Sequence, residues 1–134
     1  MKSLLLIFLA LPLPVHAQKI LGSMECTFTG TDFVYDCRVT LARGGKPLEG
    51  VRISVGADMP SMPMAHNIKP VVAKPGKAPG EYEARLDLDM IGEWAIKLRL
   101  SGPVRDQLVL LYQFDERGAS PLRDERGARP AARK

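Results

Sequence analysis

The sequence predicts an all-β protein with one core. Between residues 24 and 114, short runs rich in Val, Thr, Tyr, Phe and Leu are separated by Gly, Pro and Asp clusters about every ten residues. Two runs, residues 82–88 and 94–100, alternate between an apolar face and a charged face. No segment carries a helical period. This pattern is typical of a sandwich or barrel of about six to seven short strands.

The strand assignments follow from these runs and from the turn residues between them. We predict strands at residues 24–29, 33–41, 51–56, 81–89, 93–100 and 107–114. Turns are predicted at Gly44-Gly45, Pro79-Gly80, Ile91-Gly92 and Gly102-Pro103. Trp94 shares a face with Ile96 and Leu98, so we interpret it as a core residue without a chemical role.

The first 17 residues have the pattern of a cleavable secretion signal. Lys2 supplies a positive charge, residues 4–13 form a short apolar run, and Ala17 ends a small-residue cleavage site. The run is shorter than the ~20 residues needed to span a bilayer. Gln18 follows the cleavage site where a lipoprotein would have Cys. We therefore expect a soluble product outside the cytoplasm, without a stable membrane anchor.

Length and charge limit the remaining organisation. Removing 17 of 134 residues leaves 117, enough for one domain, which we place at residues 18–114. Half of the net charge of +4 lies in residues 115–134, which hold six Lys/Arg and four Asp/Glu. That segment is too poor in apolar residues to bury itself, and we predict a disordered basic tail. A docking arm for an acidic partner is the alternative interpretation. Without a basic stripe interleaved with aromatics, nucleic-acid binding is not expected.

Cys26 and Cys37 are the two cysteines of the chain. A turn centred on Thr31-Asp32 would place them opposite each other on paired strands, and an even count in an exported protein favours a disulfide. We expect the bridge to stabilise the fold by about 2–3 kcal/mol. A redox or metal-ligand pair is the alternative, although no Cys-x-x-Cys spacing is present to lower a thiol pKa.

Residues 58–67 form the segment most able to carry chemistry. They hold Met59, Met62 and Met64, and His66 is the only histidine after the predicted signal. Thioethers are soft, uncharged ligands that prefer Cu(I). If Pro60 and Pro63 keep the backbone extended, then Met62, Met64 and His66 project from one side, with Met59 out of phase. The competing interpretation makes these methionines core or loop fillers and His66 a surface residue.

The sequence lacks the residues that other metal sites, catalytic sites and haem attachment require. One histidine cannot supply a zinc or calcium site or a catalytic triad, and no phosphate loop or nucleophile elbow occurs. Asp87 and Asp89 are interpreted as carboxylates on the solvated face of a strand. The absence of Cys-x-x-Cys-His excludes haem attachment. We expect a protein that is not an enzyme.

Residues 34–102 resemble the YtkA-like/FixH-like family. The shared features are Gly44, residues 46–48, the Met59-Pro60-Ser61-Met62 segment, Gly80-Glu81-Tyr82 and residues 90–94. The resemblance implies an immunoglobulin-like β-sandwich of the bacterial envelope, in settings of copper handling, metal efflux or copper-oxidase assembly. It implies no enzyme. By position, Met59 and Met62 match the family motif, whereas Met64 and His66 extend it.

The sequence therefore favours a soluble periplasmic protein that binds copper, as Cu(I), through Met59, Met62, Met64 and His66. Delivery, buffering or resistance would be its role, with an envelope protein of copper handling or efflux as partner. The alternative is a metal-free interaction or assembly module that uses a sheet edge or the Met-rich loop as an apolar contact.

Overall fold

The computed structural model describes residues 18–122, and this range contains no helix, hence none that could cross a membrane. Its regular structure is β-strand, arranged in two five-stranded sheets. The predicted fold class, an all-β sandwich, is confirmed. The predicted signal peptide at residues 1–17 and the predicted tail from residue 123 onward lie outside the described residues.

The two sheets are antiparallel. The first contains β1 (Ile20–Phe28), β2 (Val34–Arg43), β3 (Lys46–Pro47), β6 (Lys74–Pro75) and β7 (Glu81–Asp87). The second contains β4 (Arg52–Asp58), β5 (Asn67–Val72), β8 (Gly92–Ser101), β9 (Asp106–Asp115) and β10 (Gly118–Pro121). The strand orders are β1-β2-β7-β6, with β3 paired to the end of β2, and β10-β9-β8-β4-β5.

The six predicted strands are all present, displaced by a few residues at their ends. The fifth strand of the second sheet, β5, was not predicted. It carries Pro70 in its middle and pairs with a strand on one side only, next to a register shift in β4 between Val55 and Ala57. Proline is tolerated in such an edge strand because its missing N–H is not needed for pairing there. Proline also interrupts the alternating pattern, so the strand could not be recognised from the sequence.

The predicted domain boundary at residue 114 was too early. β9 continues to Asp115, and the chain then turns and pairs back as β10 in the register Gly118↔Asp115 to Pro121↔Tyr112. The backbone N–H of Leu122 also bonds to the carbonyl of Leu111 at 2.8 Å. Residues 115–122, predicted as tail, are therefore part of the sandwich. Short polar strands of this kind contain no apolar run from which the sequence could predict them.

The core lies between the facing sheets and contains the predicted Trp94, which is fully buried. Tyr35 stacks edge-on against Phe114 with ring centroids 5.0 Å apart, so an aromatic pair joins the first sheet to the second. Full burial of a large apolar side chain stabilises a fold by about 1.5–3 kcal/mol. The aromatic pair and Trp94 are therefore major contributors to stability.

Two buried tyrosines connect the hairpin of β1 and β2 to β9 by hydrogen bonds. The hydroxyl of Tyr112 on β9 accepts from the backbone N–H of Met24 on β1 at 2.9 Å. The hydroxyl of Tyr35 on β2 donates to the carbonyl of Asp115 at 2.9 Å. Burial raises the pKa of Tyr35, with the negative charges of Asp115 and Glu116 acting in the same direction. Both bonds hold the amino-terminal hairpin against the carboxy-terminal hairpin.

The disulfide predicted between Cys26 and Cys37 is confirmed. The two residues are directly paired between β1 and β2, and their Cα atoms are 4.1 Å apart. The connection runs through a tight turn in which the N–H of Val34 bonds to the carbonyl of Thr31 at 3.1 Å. The bridge therefore closes the hairpin that the register argument required.

Arg85→Gln is expected to raise the pKa of Asp36, which the hydrogen bonds and charge of Arg85 hold below its ordinary value. The guanidinium donates to the two carboxylate oxygens at 2.7 and 3.1 Å. A carboxyl whose folded pKa is lowered contributes stability above its unfolded pKa, and this stability is lost as the pH falls through the folded value. An NMR titration of the Asp36 side-chain carboxyl checks the shift. Arg38→Gln, which removes the partner of Glu25 instead, should leave the Asp36 midpoint in place.

Candidate metal-binding loop

The Met-rich segment is the connection between β4 and β5 in the second sheet. Asp58 at the end of β4 pairs with Asn67 at the start of β5. Just inside that pair, the N–H of Met59 bonds to the carbonyl of His66 at 3.0 Å. Residues 60–66 therefore form a loop that is closed at its base by the ladder of β4 and β5. This closure fixes the backbone positions from which the loop side chains project.

The loop backbone is turned and not extended as predicted. The carbonyl of Met62 accepts from the N–H of Ala65 at 3.2 Å and from that of His66 at 3.0 Å. These are the bonds of a single helical turn. The φ angle that proline imposes suits the start of such a turn as well as an extended chain, so Pro63 could not decide between them. The side-chain amide of Asn67 adds a bond to the Pro63 carbonyl at 3.2 Å.

This turn changes which donors are neighbours. Residues four apart on a helical turn lie on the same face, whereas residues two apart start from nearly opposite sides. This backbone geometry favours Met62 and His66 on one face of the turn, with Met64 starting from the other side. Their exposures agree with this placement, because Met62 is 43% exposed and Met64 is 93% exposed.

Met59 is separated from the other two methionines by burial. Its side chain is 5% exposed and belongs to the core cluster. A Cβ added at Gly92 would lie 2.9 Å from the Met59 Cε, so this methyl group fills the space above that glycine. For Met59 the structure matches the interpretation as a core filler.

His66 has a fixed orientation because it pairs with Asp89. The Nδ1 of His66 lies 2.9 Å from an Oδ of Asp89, and the two side chains are 27% and 47% exposed. A carboxylate only accepts, so Nδ1 carries the proton in the neutral ring and Nε2 keeps a lone pair for a ligand. The same carboxylate–histidine arrangement orients metal-binding histidines in other proteins.

Asp89 was predicted to lie on the solvated face of a strand, but it does not lie in a strand. β7 ends at Asp87, and Asp89 lies in the turn that leads into β8. That turn is held by the indole of Trp94, whose N–H donates to the carbonyl of Met90 at 3.1 Å. Asp89 is 23 residues from His66 in sequence, and no local pattern links them. Only the sheet order, with β8 beside β4, brings their turns together.

The chemistry of this loop is that of soft and borderline donors. Within residues 18–122, no three side chains of His, Cys, Asp or Glu gather into a group that could hold an ion. A surface depression of about 550 Å³ elsewhere is lined by Glu25, Arg38, Asp36 and Arg85, which already form ion pairs with one another. The loop with Met62, Met64 and His66 is thus the stronger candidate.

Comparison with known proteins gives one match. The sequence model of a family described as YtkA-like matches residues 30–99, a span that covers strands β2 to β7, most of β8 and the whole Met-rich loop. No curated protein and no solved structure matches the chain.

Proposed function

The chain belongs to the YtkA-like family, and from this premise we propose that it binds copper, as Cu(I), through the Met-rich loop. Met62, Met64 and His66 are the proposed ligands. The role is delivery, buffering or resistance in the cell envelope, and it involves binding without catalysis. A copper-handling or efflux protein of the envelope is the proposed partner.

The pairing of His66 with Asp89 is the observation that carries the proposal. A surface histidine without a role has no need of a fixed tautomer, whereas a ligand gains from one because its free nitrogen is already aimed. The helical turn supports this choice, because residues four apart on such a turn, here Met62 and His66, share a face. In this proposal, a sulfur and a nitrogen donor share one face of the turn.

The donor set suits Cu(I) better than harder ions. Thioethers select Cu(I), and imidazole binds copper well. Met64 starts from the far side of the turn, but its long flexible side chain and 93% exposure leave it free to swing toward an ion. An exposed site with few protein donors also leaves room for a ligand from another protein, which suits transfer.

Location outside the cytoplasm is part of the proposal. The Cys26–Cys37 disulfide is of a kind that persists in oxidising compartments such as the periplasm. The sequence pattern of residues 1–17 supports export with cleavage after Ala17.

An anaerobic Cu(I) titration against a chromophoric competitor tests the proposal. The chain from Gln18 onward is expected to withdraw one equivalent, and Ag(I) should do the same as a redox-silent check. Met62→Leu combined with Met64→Leu, and His66→Gln alone, should each greatly weaken binding. Asp89→Asn should weaken it by about 10–100-fold, because Asp89 orients His66 without touching the ion.

Two buried methionines provide matched controls. Met59→Leu and Met24→Leu make the same chemical change at positions that are 5% and 4% exposed, and both should keep full copper affinity. If wild type fails to compete for Cu(I), or if Met59→Leu loses as much affinity as the double variant, the proposed site is wrong.

A second function is favoured by one further observation. Met64 and Ile91, 93% and 46% exposed, belong to the two loops that the His66–Asp89 pair joins. Exposed Met and Ile side chains on these two loops suit an adaptable apolar contact with a protein partner. In that case the Met→Leu variants would weaken an envelope crosslink to the partner and leave copper resistance unchanged.

A further inference from the structure

The methionine sulfurs of the described chain differ sharply in their access to solvent. Met64 is 93% exposed and Met62 is 43% exposed. Met59 and Met24 are 5% and 4% exposed, and Met90 is only partly buried against the core. A small oxidant in water therefore reaches the two proposed copper ligands before it reaches the sulfurs that pack in the core.

We propose that Met64, followed by Met62, is a methionine-sulfoxide site at which a hypohalous acid switches copper binding off. The inference rests on the proposed copper function, since it assigns a regulation to the same loop. It adds a modification, an order of reaction and a class of oxidant.

The reaction balances with hypochlorous acid as oxidant. The thioether sulfur attacks the acid, a sulfur–oxygen bond forms, and chloride leaves with the electron pair of the broken oxygen–chlorine bond. A proton is released. Sulfur loses two electrons and chlorine gains two, giving the sulfoxide, chloride and H⁺. Methionine sulfoxide reductases reverse the oxidation, so the change need not be permanent.

The oxidised side chain is a different ligand. A sulfoxide is polar and presents a hard oxygen in place of the soft sulfur lone pair, so it no longer favours Cu(I). At Met64 the added oxygen points into water and displaces no packed group. At Met59 it would have to be accommodated inside the core, where the side chain is 5% exposed. Oxidation of the loop therefore removes ligands and leaves the fold intact. Because the fold survives, the oxidation can act as a reversible switch and is not simply damage to the protein.

The backbone supports this separation. The hydrogen bonds that close the loop, from Met59 N–H to the His66 carbonyl and within residues 62–66, use backbone atoms only. The His66–Asp89 pair uses no sulfur. We therefore expect the oxidised loop to keep its turn.

The test begins with the metal-free chain from Gln18 onward, titrated with hypochlorous acid from sub-stoichiometric amounts up to the amount that oxidises both Met64 and Met62. Peptide mass spectrometry should find sulfoxide first at Met64, then at Met62, with Met59 and Met24 unreacted. The thermal midpoint of the treated protein should not fall. Its Cu(I) and Ag(I) affinities should drop to those of the double variant with Met62→Leu and Met64→Leu, and methionine sulfoxide reductase should restore them.

Two controls separate the switch from general oxidation. The double Met→Leu variant, treated identically, should gain no loop sulfoxide and show no further loss of affinity. Wild type loaded with Ag(I) should be oxidised more slowly at Met62 and Met64 than metal-free protein, with no change at Met90.

The outcomes distinguish the two proposals. Untreated protein that does not withdraw Cu(I) overturns the proposed function and the switch with it. Untreated protein that binds, together with oxidised protein that binds equally well, overturns the switch alone. Sulfoxide at Met59 as early as at Met64 overturns the assignment of the site.

Discussion

Gly118→Ala is expected to lower the free energy of unfolding by about 2–5 kcal/mol, from backbone strain and overpacking together. Gly118 begins β10 with a φ of +124°, a conformation that side chains rarely adopt. A Cβ there would lie 2.5 Å from the carbonyl oxygen of Cys26 on β1. Neither the oxygen nor the strand behind it can retreat easily, because Cys26 is fixed by its disulfide.

Urea denaturation followed by the fluorescence of Trp94, the single tryptophan, measures the change. Gly30→Ala is the matched control. Gly30 also has a positive φ, +88°, but its Cβ would meet nothing within 4 Å. The Gly30→Ala variant should lose only the stability that a positive φ costs a residue with a Cβ, about 1–2 kcal/mol. Equal losses in the two variants would mean that the contact between β10 and β1 does not constrain the fold.

Replacing Cys26 and Cys37 together by alanine is expected to cost about 3 kcal/mol, the loop-closure contribution of a bridge between residues 11 apart. The loss arises in the unfolded chain, which gains freedom when the bridge is absent. The folded hairpin keeps its ladder of paired residues between β1 and β2. The variant should therefore remain folded with reduced stability.

Thermal and urea unfolding of the oxidised, reduced and Cys→Ala proteins check this result. Reduced wild type is the control, since it lacks the bridge but keeps both sulfurs, and it should unfold close to the variant. Cu(I) affinity of the variant should equal that of wild type, because the proposed ligands lie on the β4–β5 loop of the other sheet. A drop in affinity would show that the thiols or their hairpin take part in metal binding.

The disulfide and the long strands could be predicted from sequence because their signals are local. Counting outward from Thr31-Asp32 sets Cys26 against Cys37, and alternation alone marks β7 and β8. The edge strand β5 could not be found, because Pro70 interrupts its pattern and its pairing depends on β4 alone. β10 is recognisable only from its partner β9.

The candidate loop was predictable in composition and not in geometry. The thioethers and His66 mark residues 58–67 as unusual, yet the sequence cannot say that Met59 turns into the core while Met62 stays exposed. Both match the same family motif. Whether a proline such as Pro63 starts a turn or an extended run depends on bonds made elsewhere, here to Asn67. Asp89 reaches His66 through tertiary structure alone.

The hydroxyls of Tyr112 and Tyr35 make local unfolding of either terminal hairpin depend on the other hairpin. Tyr112 holds β1, near one end of the described chain, and Tyr35 holds the carbonyl of Asp115, near the other. Neither terminal hairpin can peel away without breaking a buried bond to the other. Amide hydrogens of β1 and β9 should therefore exchange with solvent at similar, slow rates. A protease would find no easy point of entry at either end of the sandwich.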